Sequence, residues 1–174
     1  MFTHPKENIK ELYVREGMTV ADLGAGSGFY TLELAKKVGP SGQVYAVEIQ
    51  KELGEKLVRL GEAEGLKNIF PIWGDLEKAG GTKIGDGVVD MAVVANVLFQ
   101  VQDKMTVATE VNRILKKSAK VLVVDWSEVS DFNKRLKDHI FAKKDARVLF
   151  ERAGLKYAQD VKTGEHQYGM IFTK

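Results

Sequence analysis

The stretch that most limits how this chain can fold is residues 24–28, where three glycines occur in five positions. Before it, residues 19–23 (TVADL) form a short apolar run typical of a β-strand. After it, apolar residues recur at helical spacing, at Phe29, Leu32, Ala35 and Val38. Glycine is favoured where the backbone takes a positive φ or where a ligand approaches the main chain. The pattern therefore predicts a strand, a tight turn and a helix whose first N–H groups face a ligand.

The residues around the glycines indicate which kind of ligand the turn accepts. A dinucleotide-binding turn has the spacing G-x-G-x-x-G, whereas this one is G-x-G-x-G, with Phe29 where the third small residue belongs. Asp22 lies two residues before the first glycine and is expected to point into the site from the strand end. Its charge would repel a pyrophosphate and favour a ligand that carries an ammonium or sulfonium group. An NAD-dependent oxidoreductase is the less favoured alternative, and a simple turn is another.

Composition indicates an ordinary globular protein and removes several kinds of site. The 174 residues are 44% hydrophobic and 29% charged, and 26 basic against 24 acidic residues leave a formal charge of +2. This balance is too even to indicate a nucleic-acid or membrane partner. Because the chain has no cysteine, disulfides, thiolate metal sites and a cysteine nucleophile are excluded, and no metal site is predicted. No signal-peptide core or membrane-length apolar run is present, so we expect a cytoplasmic protein.

The rest of the chain predicts alternating strands and helices followed by a hairpin. We expect one domain, with an N-terminal helical segment over 1–16 and a core over 17–174. Strands are predicted at 19–23, 43–48, 68–73, 88–95, 119–126, 155–161 and 167–172, and helices at 29–38, 52–65, 103–115 and 145–154. This order predicts an α/β fold, a doubly wound and mostly parallel sheet of about seven strands with an antiparallel C-terminal hairpin.

Two further features of this pattern have structural interpretations. The helix over 52–65 is expected to turn one apolar face inward, at Leu53, Leu57, Leu60 and Ala63. The glycine-rich residues 80–87 follow no strand and contain no G-K-[ST] sequence. We therefore predict a surface loop there rather than a phosphate-binding loop.

The motif residues resemble a known family. Val20–Gly28 (VADLGAGSG) is similar to the first motif of the class I S-adenosylmethionine-dependent methyltransferases, and later segments resemble the same family in order, over about residues 18–174. The resemblance implies a Rossmann-like fold, S-adenosyl-L-methionine as cofactor, and in-line transfer of its methyl group to an acceptor. It also implies a cofactor site made of Asp22, Gly24, Ala25, Gly26, Gly28, Glu48, Ile49, Asp75, Leu76, Asn96 and Val97.

Each part of this predicted site has an expected contact. Glu48 ends the second strand, where a carboxylate can accept hydrogen bonds from both ribose hydroxyls. The resemblance implies that Asp75 meets the adenine amino group, that Leu76 packs on the adenine ring, and that Asn96 faces the methionyl end of the cofactor. The alternative for Asp75 is an ordinary helix N-cap.

The acceptor side resembles the small-molecule and quinone-biosynthesis methyltransferases. Residues 96–99 read Asn-Val-Leu-Phe and lack the two prolines of the [N/D]-P-P-[Y/F] sequence that is typical of adenine and glutamine methyltransferases. Phe99 and Gln100 are the candidates to line the acceptor side. An RNA acceptor ranks lower because no basic stripe with interleaved aromatic residues is present. Arsenite methylation is disfavoured because that chemistry relies on cysteines.

Two side chains are weak candidates for a general base. Asp125 lies at the C-terminal end of the fifth strand, where ligands of open sheets bind, and His139 titrates near neutral pH. Their alternatives are an ordinary loop acid and an exposed histidine. Because residues 127–143 leave little chain to enclose an acceptor, a catalytically silent cofactor-binding protein also remains possible. The oligomeric state is not predicted.

The N-terminal segment has two interpretations. Ile9, Leu12 and Tyr13 form an apolar stripe that predicts a packing helix. In the family this segment often lies over the cofactor, so the alternative is that Phe2, His4 and Tyr13 help to cover the site.

Overall fold

The fold contains the predicted strands and helices in the predicted order. A computed structural model describes residues 4–127 and 139–174. Its helices are α1 (Pro5–Asn8), α2 (Phe29–Val38), α3 (Lys51–Ala63), α4 (Lys104–Ile114) and α5 (Lys143–Arg152), with a 3₁₀ helix at Ile9–Leu12. Its strands are β1 (Thr19–Leu23), β2 (Gln43–Glu48), β3 (Ile69–Trp73), β4 (Val89–Ala95), β5 (Leu115–Trp126), β6 (Lys156–Val161) and β7 (Gln167–Thr173). The largest boundary difference is at β5, which begins at Leu115 rather than at residue 119.

One seven-stranded sheet has the order β3-β2-β1-β4-β5-β7-β6. Strands β1 to β5 run parallel to one another, while β7 runs antiparallel to both of its neighbours, β5 and β6. The predicted mostly parallel, Rossmann-like sheet with a C-terminal hairpin is thus confirmed. The chain winds from β1 outward to β3 and then returns to β4, so β1 and β4 are neighbours at the switch point. A crevice opens beyond their carboxyl ends, and ligands of open α/β sheets bind there.

The two faces of the sheet carry two separate apolar layers. Alternate residues of the central strands point to opposite faces, and both faces are buried, which explains why β4 and β5 read as almost unbroken apolar runs. On one face lie α2, α3 and the 3₁₀ helix, where Leu34 and Leu12 are fully buried. On the other lie α4 and α5, where the Phe150 ring stacks on Phe172 of β7 at 5.1 Å.

The connection from β3 to β4 contains no helix. Residues 74–88, all of which the structure describes, form turns. We call them the β3–β4 loop. The sequence predicted no helix between residues 73 and 88, and the predicted loop at 80–87 is confirmed. Two polar side chains of α4, Glu110 and Arg113, form hydrogen bonds with this loop and fix its position.

The inward face of α3 differs from the predicted one. Its buried residues are Gly54, Leu57 and Gly61, while Leu60 is 38% exposed. A Cβ at Gly61 would lie 2.7 Å from Ile69 Cδ1, so the glycine lets the helix lie directly on β3. The apolar pattern indicated the wrong inward face because the backbone of α3 lies close to β3, and only glycine fits at the closest position.

The N-terminal residues pack against the core, as the first interpretation predicts. Ile9 and Leu12 are buried, and Asn8 Nδ2 donates a hydrogen bond of 2.7 Å to the Tyr30 hydroxyl. Tyr13 is 67% exposed, His4 is exposed, and Phe2 lies outside the described residues. Of the helices in the described ranges, none has the length and apolarity that crossing a membrane requires.

Candidate functional site

The glycine turn lies between β1 and α2, at the switch point of the sheet. Gly24, Gly26 and Gly28 have φ values of 79°, 52° and 83°, which L-residues rarely adopt. A Cβ at Gly24 would lie 2.5 Å from Val97 Cγ2, so a side chain there would fill the crevice. A Cβ at Gly28 would collide with Leu57 of α3, so this glycine allows close packing of that helix. Gly28 lines neither of the two cavities, and its predicted contact with the cofactor stays a prediction.

Two neighbouring cavities open on this turn and share Gly24, Gly26 and Gln100. The first cavity has a volume of about 340 Å³ and is lined by Gly24, Gly26, Val47, Glu48, Ile49, Gln50, Leu53, Gly74, Asp75, Leu76, Glu77, Val97, Gln100 and Val101. The second has a volume of about 270 Å³ and is lined by Asp22, Gly24, Ala25, Gly26, Ser27, Phe29, Tyr30, Ala95, Asn96, Gln100 and Trp126. Apart from Gly28, every predicted cofactor residue lines one of them.

Glu48 is held rigidly at the edge of the first cavity. Its Oε2 accepts a hydrogen bond of 2.9 Å from the Gly26 N–H, and its Oε1 accepts one of 2.9 Å from the Gln50 N–H. The residue is 8% exposed. A carboxylate has about four lone-pair positions, so each oxygen keeps the capacity to accept one more donor. This geometry suits a ligand that presents two adjacent hydroxyl groups.

Asp22 lines the second cavity from the end of β1. It is 2% exposed, and its Oδ2 accepts a hydrogen bond from the Thr31 hydroxyl of α2. Burial raises the pKa of Asp22 to about 6, against the opposing effect of the Thr31 hydrogen bonds and with a further increase from the charge of Glu48. The carboxylate is thus ionised at neutral pH yet easily neutralised in mild acid.

The Asp75–Leu76 pair forms the far wall of the first cavity. Asp75 Oδ1 accepts a hydrogen bond of 3.0 Å from the Glu77 N–H, and its Oδ2 lies 3.2 Å from Lys78 Nζ. The bond to the Glu77 N–H resembles that of a helix N-cap, which is the alternative for Asp75, but a turn and not a helix follows. Ile49 is 58% exposed at the opposite rim, which leaves an apolar side chain free to cover a flat ligand.

The amide side chains at the end of β4 form a connected group. Asn96 has a φ of 57°, and its Oδ1 accepts a hydrogen bond of 2.7 Å from Gln167 Nε2. Gln100 Nε2 donates a hydrogen bond of 2.7 Å to the Asn96 carbonyl. Gln100 lines both cavities and Phe99 lines neither. The place of these two residues on the acceptor side stays a prediction.

Neither candidate base reaches the cavities. Asp125 is completely buried, and its two oxygens accept hydrogen bonds of 2.8 Å from the Leu98 and Trp126 N–H groups. Burial raises the pKa of Asp125 to about 6, although these backbone donors act in the opposite direction. The Asp125 side chain therefore connects the loop after β4, through Leu98, to the end of β5. His139 is exposed and lines neither cavity.

We expect Asp125→Ala to lower the free energy of unfolding by about 2 kcal/mol or more, because buried backbone donors lose their acceptor. Asp103→Ala is the matched control, since Asp103 also accepts two hydrogen bonds, both from Thr106, but at an exposed helix N-cap. That change should cost about 1 kcal/mol. Denaturant titration measures both, and equal losses would contradict a buried structural role for Asp125.

Sequence reasoning missed several residues that line the site. Phe29 is 67% exposed and lines the second cavity together with Trp126. Trp126 ends β5, the strand next to β4, and its place at the C-terminal end of a strand is a signal that could have identified it. Glu77 has no such signal, because only the fold brings it to the first cavity.

Together the two cavities form an acidic groove. Among the described residues, three carboxylate side chains line the first cavity and one lines the second, while neither cavity is lined by Lys, Arg or His. An anionic pyrophosphate would find no basic side chain among these lining residues, although Lys78 pairs with Asp75 from outside the lining. A cationic ligand with hydroxyl groups would find carboxylates in both cavities. This charge pattern agrees with the one deduced from Asp22.

Comparison with solved structures finds several that share the fold of this chain. The chain is 27% identical to a SAM dependent methyltransferase from Aquifex aeolicus, with a TM-score of 0.85 over 98% of this chain and 89% of that one. An arsenic (III) S-adenosylmethionine methyltransferase from Chlamydomonas reinhardtii has a TM-score of 0.73 at 20% identity, over 92% of this chain and 64% of that one, which shows the fold alone.

Sequence relatives and a family model extend this comparison. The chain is 30% identical over 126 residues to a demethylmenaquinone methyltransferase of a Geobacillus species, which is 71% of this chain and 51% of that protein. The chain thus spans about half the length of the curated relatives it matches. The family model described as methyltransferase domain matches residues 14–170. The predicted resemblance is confirmed, and this chain belongs to the methyltransferase domain family.

Proposed function

We propose that this protein is an S-adenosylmethionine-dependent methyltransferase that acts on a small-molecule acceptor. The observation that carries the proposal is the two-part acidic groove around the glycine turn, with Glu48 and Asp75 at one end and Asp22 at the other. S-adenosylmethionine has a neutral nucleoside part and a cationic methionine part, so its charges match this division. A nicotinamide dinucleotide has a pyrophosphate in the middle, where the groove offers no cation.

The residues present fit this cofactor. In the proposed complex Glu48 accepts hydrogen bonds from the ribose hydroxyls through the lone pairs that its two backbone donors leave free. Ile49 and Leu76 cover the two sides of the base. Gly24 provides the space that a Cβ would fill, which allows the main chain to approach the ligand closely. Asp22 supplies the negative charge for the cationic part.

The chemistry follows from positioning. When bound, S-adenosylmethionine would supply a sulfonium methyl group; an acceptor atom can attack this carbon in line with the C–S bond, which breaks as S-adenosylhomocysteine leaves. The contribution of the chain is to hold both partners in one geometry and to limit water, which can supply a large part of the rate enhancement without a dedicated acid or base. Phe29 and Trp126 give the second cavity its aromatic rim, and they are suited to an apolar or flat acceptor.

The aromatic rim of the second cavity supports a small-molecule acceptor. The methionine part of the cofactor is proposed to lie in this cavity beside Asp22, so the acceptor would approach the sulfonium group at the rim, where Phe29 and Trp126 suit an apolar or flat molecule. The relative in Geobacillus is a demethylmenaquinone methyltransferase, which also supports a small molecule rather than a polymer as acceptor. A cytoplasmic location and a single-domain organisation stay predictions.

Calorimetric titration with S-adenosylhomocysteine and NADH tests the proposed function. We expect the first to bind and the second not to, and Glu48→Ala to weaken S-adenosylhomocysteine binding by about tenfold or more, since it removes two charge-assisted hydrogen bonds. Glu62→Ala, an exposed change on α3, is the control. Binding of NADH alone would overturn the proposal. Binding without turnover on any quinol, phenol or amine would leave a silent binding protein.

A further inference from the structure

The β3–β4 loop and the loop after β4 form opposite parts of the first-cavity wall. The first contributes Gly74, Asp75, Leu76 and Glu77. The second contributes Val97, Gln100 and Val101. Side chains of α4 hold the β3–β4 loop at Gly80, Thr82 and Ile84, so the cavity-lining residues 74–77 need further contacts to fix their position relative to the second loop.

Glu77 joins the two loops directly. Its Oε1 accepts hydrogen bonds of 2.7 Å from both the Gln102 N–H and the Asp103 N–H, immediately before α4. Within the described part of the chain, no other hydrogen bond connects residues 75–79 to residues 96–103. A carboxylate at these positions is also favoured by the positive end of the α4 dipole.

The cofactor residue Asp75 depends on the same turn. Asp75 Oδ1 accepts a hydrogen bond of 3.0 Å from the Glu77 N–H, so the backbone of Glu77 orients the Asp75 carboxylate while its side chain attaches the turn to the loop before α4. Movement of Glu77 would therefore displace Asp75 and Leu76 from the nucleoside end of the groove. Asp22 lies in the second cavity and would keep its position.

We propose that Glu77 is a positioning residue that holds the nucleoside end of the cofactor groove in its binding geometry. The proposal rests on the proposed function. It predicts a selective defect: contacts to adenine and ribose weaken, while contacts to the methionine part are retained. No role in methyl transfer itself is assigned to Glu77.

The test compares Glu77→Ala, Glu77→Asp and Glu77→Gln with the Glu62→Ala control. Aspartate is one methylene shorter and cannot reach both N–H groups, yet it keeps the charge and preserves the test if the alanine variant folds poorly. Glutamine keeps an acceptor oxygen at the same reach. We expect the alanine and aspartate variants to bind S-adenosylhomocysteine and 5′-methylthioadenosine about tenfold more weakly, and glutamine to stay within about threefold of wild type.

Two readouts separate positioning from general destabilisation. Equal loss for both ligands indicates a defect at the nucleoside part, because 5′-methylthioadenosine lacks the amino-acid part of S-adenosylhomocysteine. Amide hydrogen exchange in the ligand-free protein should accelerate at Gln102 and Asp103 in the alanine and aspartate variants, but not in the control.

The outcomes are distinct. If the wild-type protein binds neither ligand, the proposed function is overturned and this inference with it. If wild type binds both and the alanine and aspartate variants bind them equally well, or exchange at Gln102 and Asp103 is unchanged, the role of Glu77 alone is overturned.

Discussion

Arg113→Ala is expected to lower the free energy of unfolding by about 3–5 kcal/mol, the cost of leaving a buried carboxylate without its partner. The carboxylate is Glu110 of α4, whose side chain is 3% exposed. Arg113 donates to both of its oxygens at 2.8 Å. The same carboxylate accepts hydrogen bonds from the Gly80 N–H and the Thr82 hydroxyl of the β3–β4 loop. These hydrogen bonds attach the β3–β4 loop to α4, since no helix packs between β3 and β4 in this fully described part of the chain.

The pH dependence of stability gives this prediction a second test. Burial raises the pKa of Glu110, but the hydrogen bonds from Arg113, Gly80 and Thr82 outweigh it and hold the pKa at about 2, below the ordinary 4.5. The stabilisation is therefore complete above about pH 4.5 and is lost as the pH falls towards 2. In Arg113→Ala, the pKa of Glu110 should rise, because burial raises it and the opposing hydrogen bonds from Arg113 are lost. The part of the stability that is lost in acid should therefore shrink or reverse sign.

Denaturant titration between pH 3 and pH 7 measures both effects. Lys51→Ala is the control, because Lys51 pairs with Glu55 at 3.8 Å on the exposed side of α3. Such a pair contributes about 0.3–0.5 kcal/mol. A loss in Arg113→Ala no larger than that of the control would show that the network does not stabilise the loop.

Asp22→Asn is expected to weaken binding of S-adenosylhomocysteine by about tenfold or more at pH 7.5, because the ammonium group of the ligand loses a buried opposite charge. The pKa of Asp22 is about 6, raised mainly by burial, so wild-type affinity should fall as the pH decreases through 6. Below that pH the carboxyl group is neutral, and each further unit reduces the affinity by up to about tenfold. The variant should bind weakly at every pH.

Stability distinguishes this defect from misfolding. A carboxyl whose folded pKa is raised contributes stability below its unfolded pKa, near 3.8, and this contribution is lost as the pH rises through about 6. Asp22→Asn removes that loss and keeps an acceptor for the Thr31 hydroxyl, so the variant should be at least as stable as wild type at neutral pH. Isothermal titration at pH 5 and pH 7.5, with thermal unfolding of the same samples, makes the comparison. Affinity that is independent of pH in wild type would contradict the role of Asp22.

Local pattern was sufficient for most of the fold. Apolar runs of strand length, helical spacing and glycine turns depend on neighbours in the chain, so they predicted the strands and helices in order. Pattern failed where distant residues determine the outcome. At α3 the glycines face inward because β3 approaches closely, and the predicted loop between β3 and β4 is held by Glu110, which Arg113 pairs with. Neither contact has a signature in the local sequence.

By itself the sequence determined the sheet, the glycine turn and the acids at the strand ends, because strand ends of a parallel sheet necessarily converge at one edge. The sequence could not determine which residues already form hydrogen bonds or packing contacts with other parts of the protein. Only the tertiary structure showed that backbone N–H groups occupy Asp125, that Gly28 serves helix packing, and that Glu77 spans two loops. These properties depend on the distances between residues far apart in the chain, which spacing along the sequence does not contain.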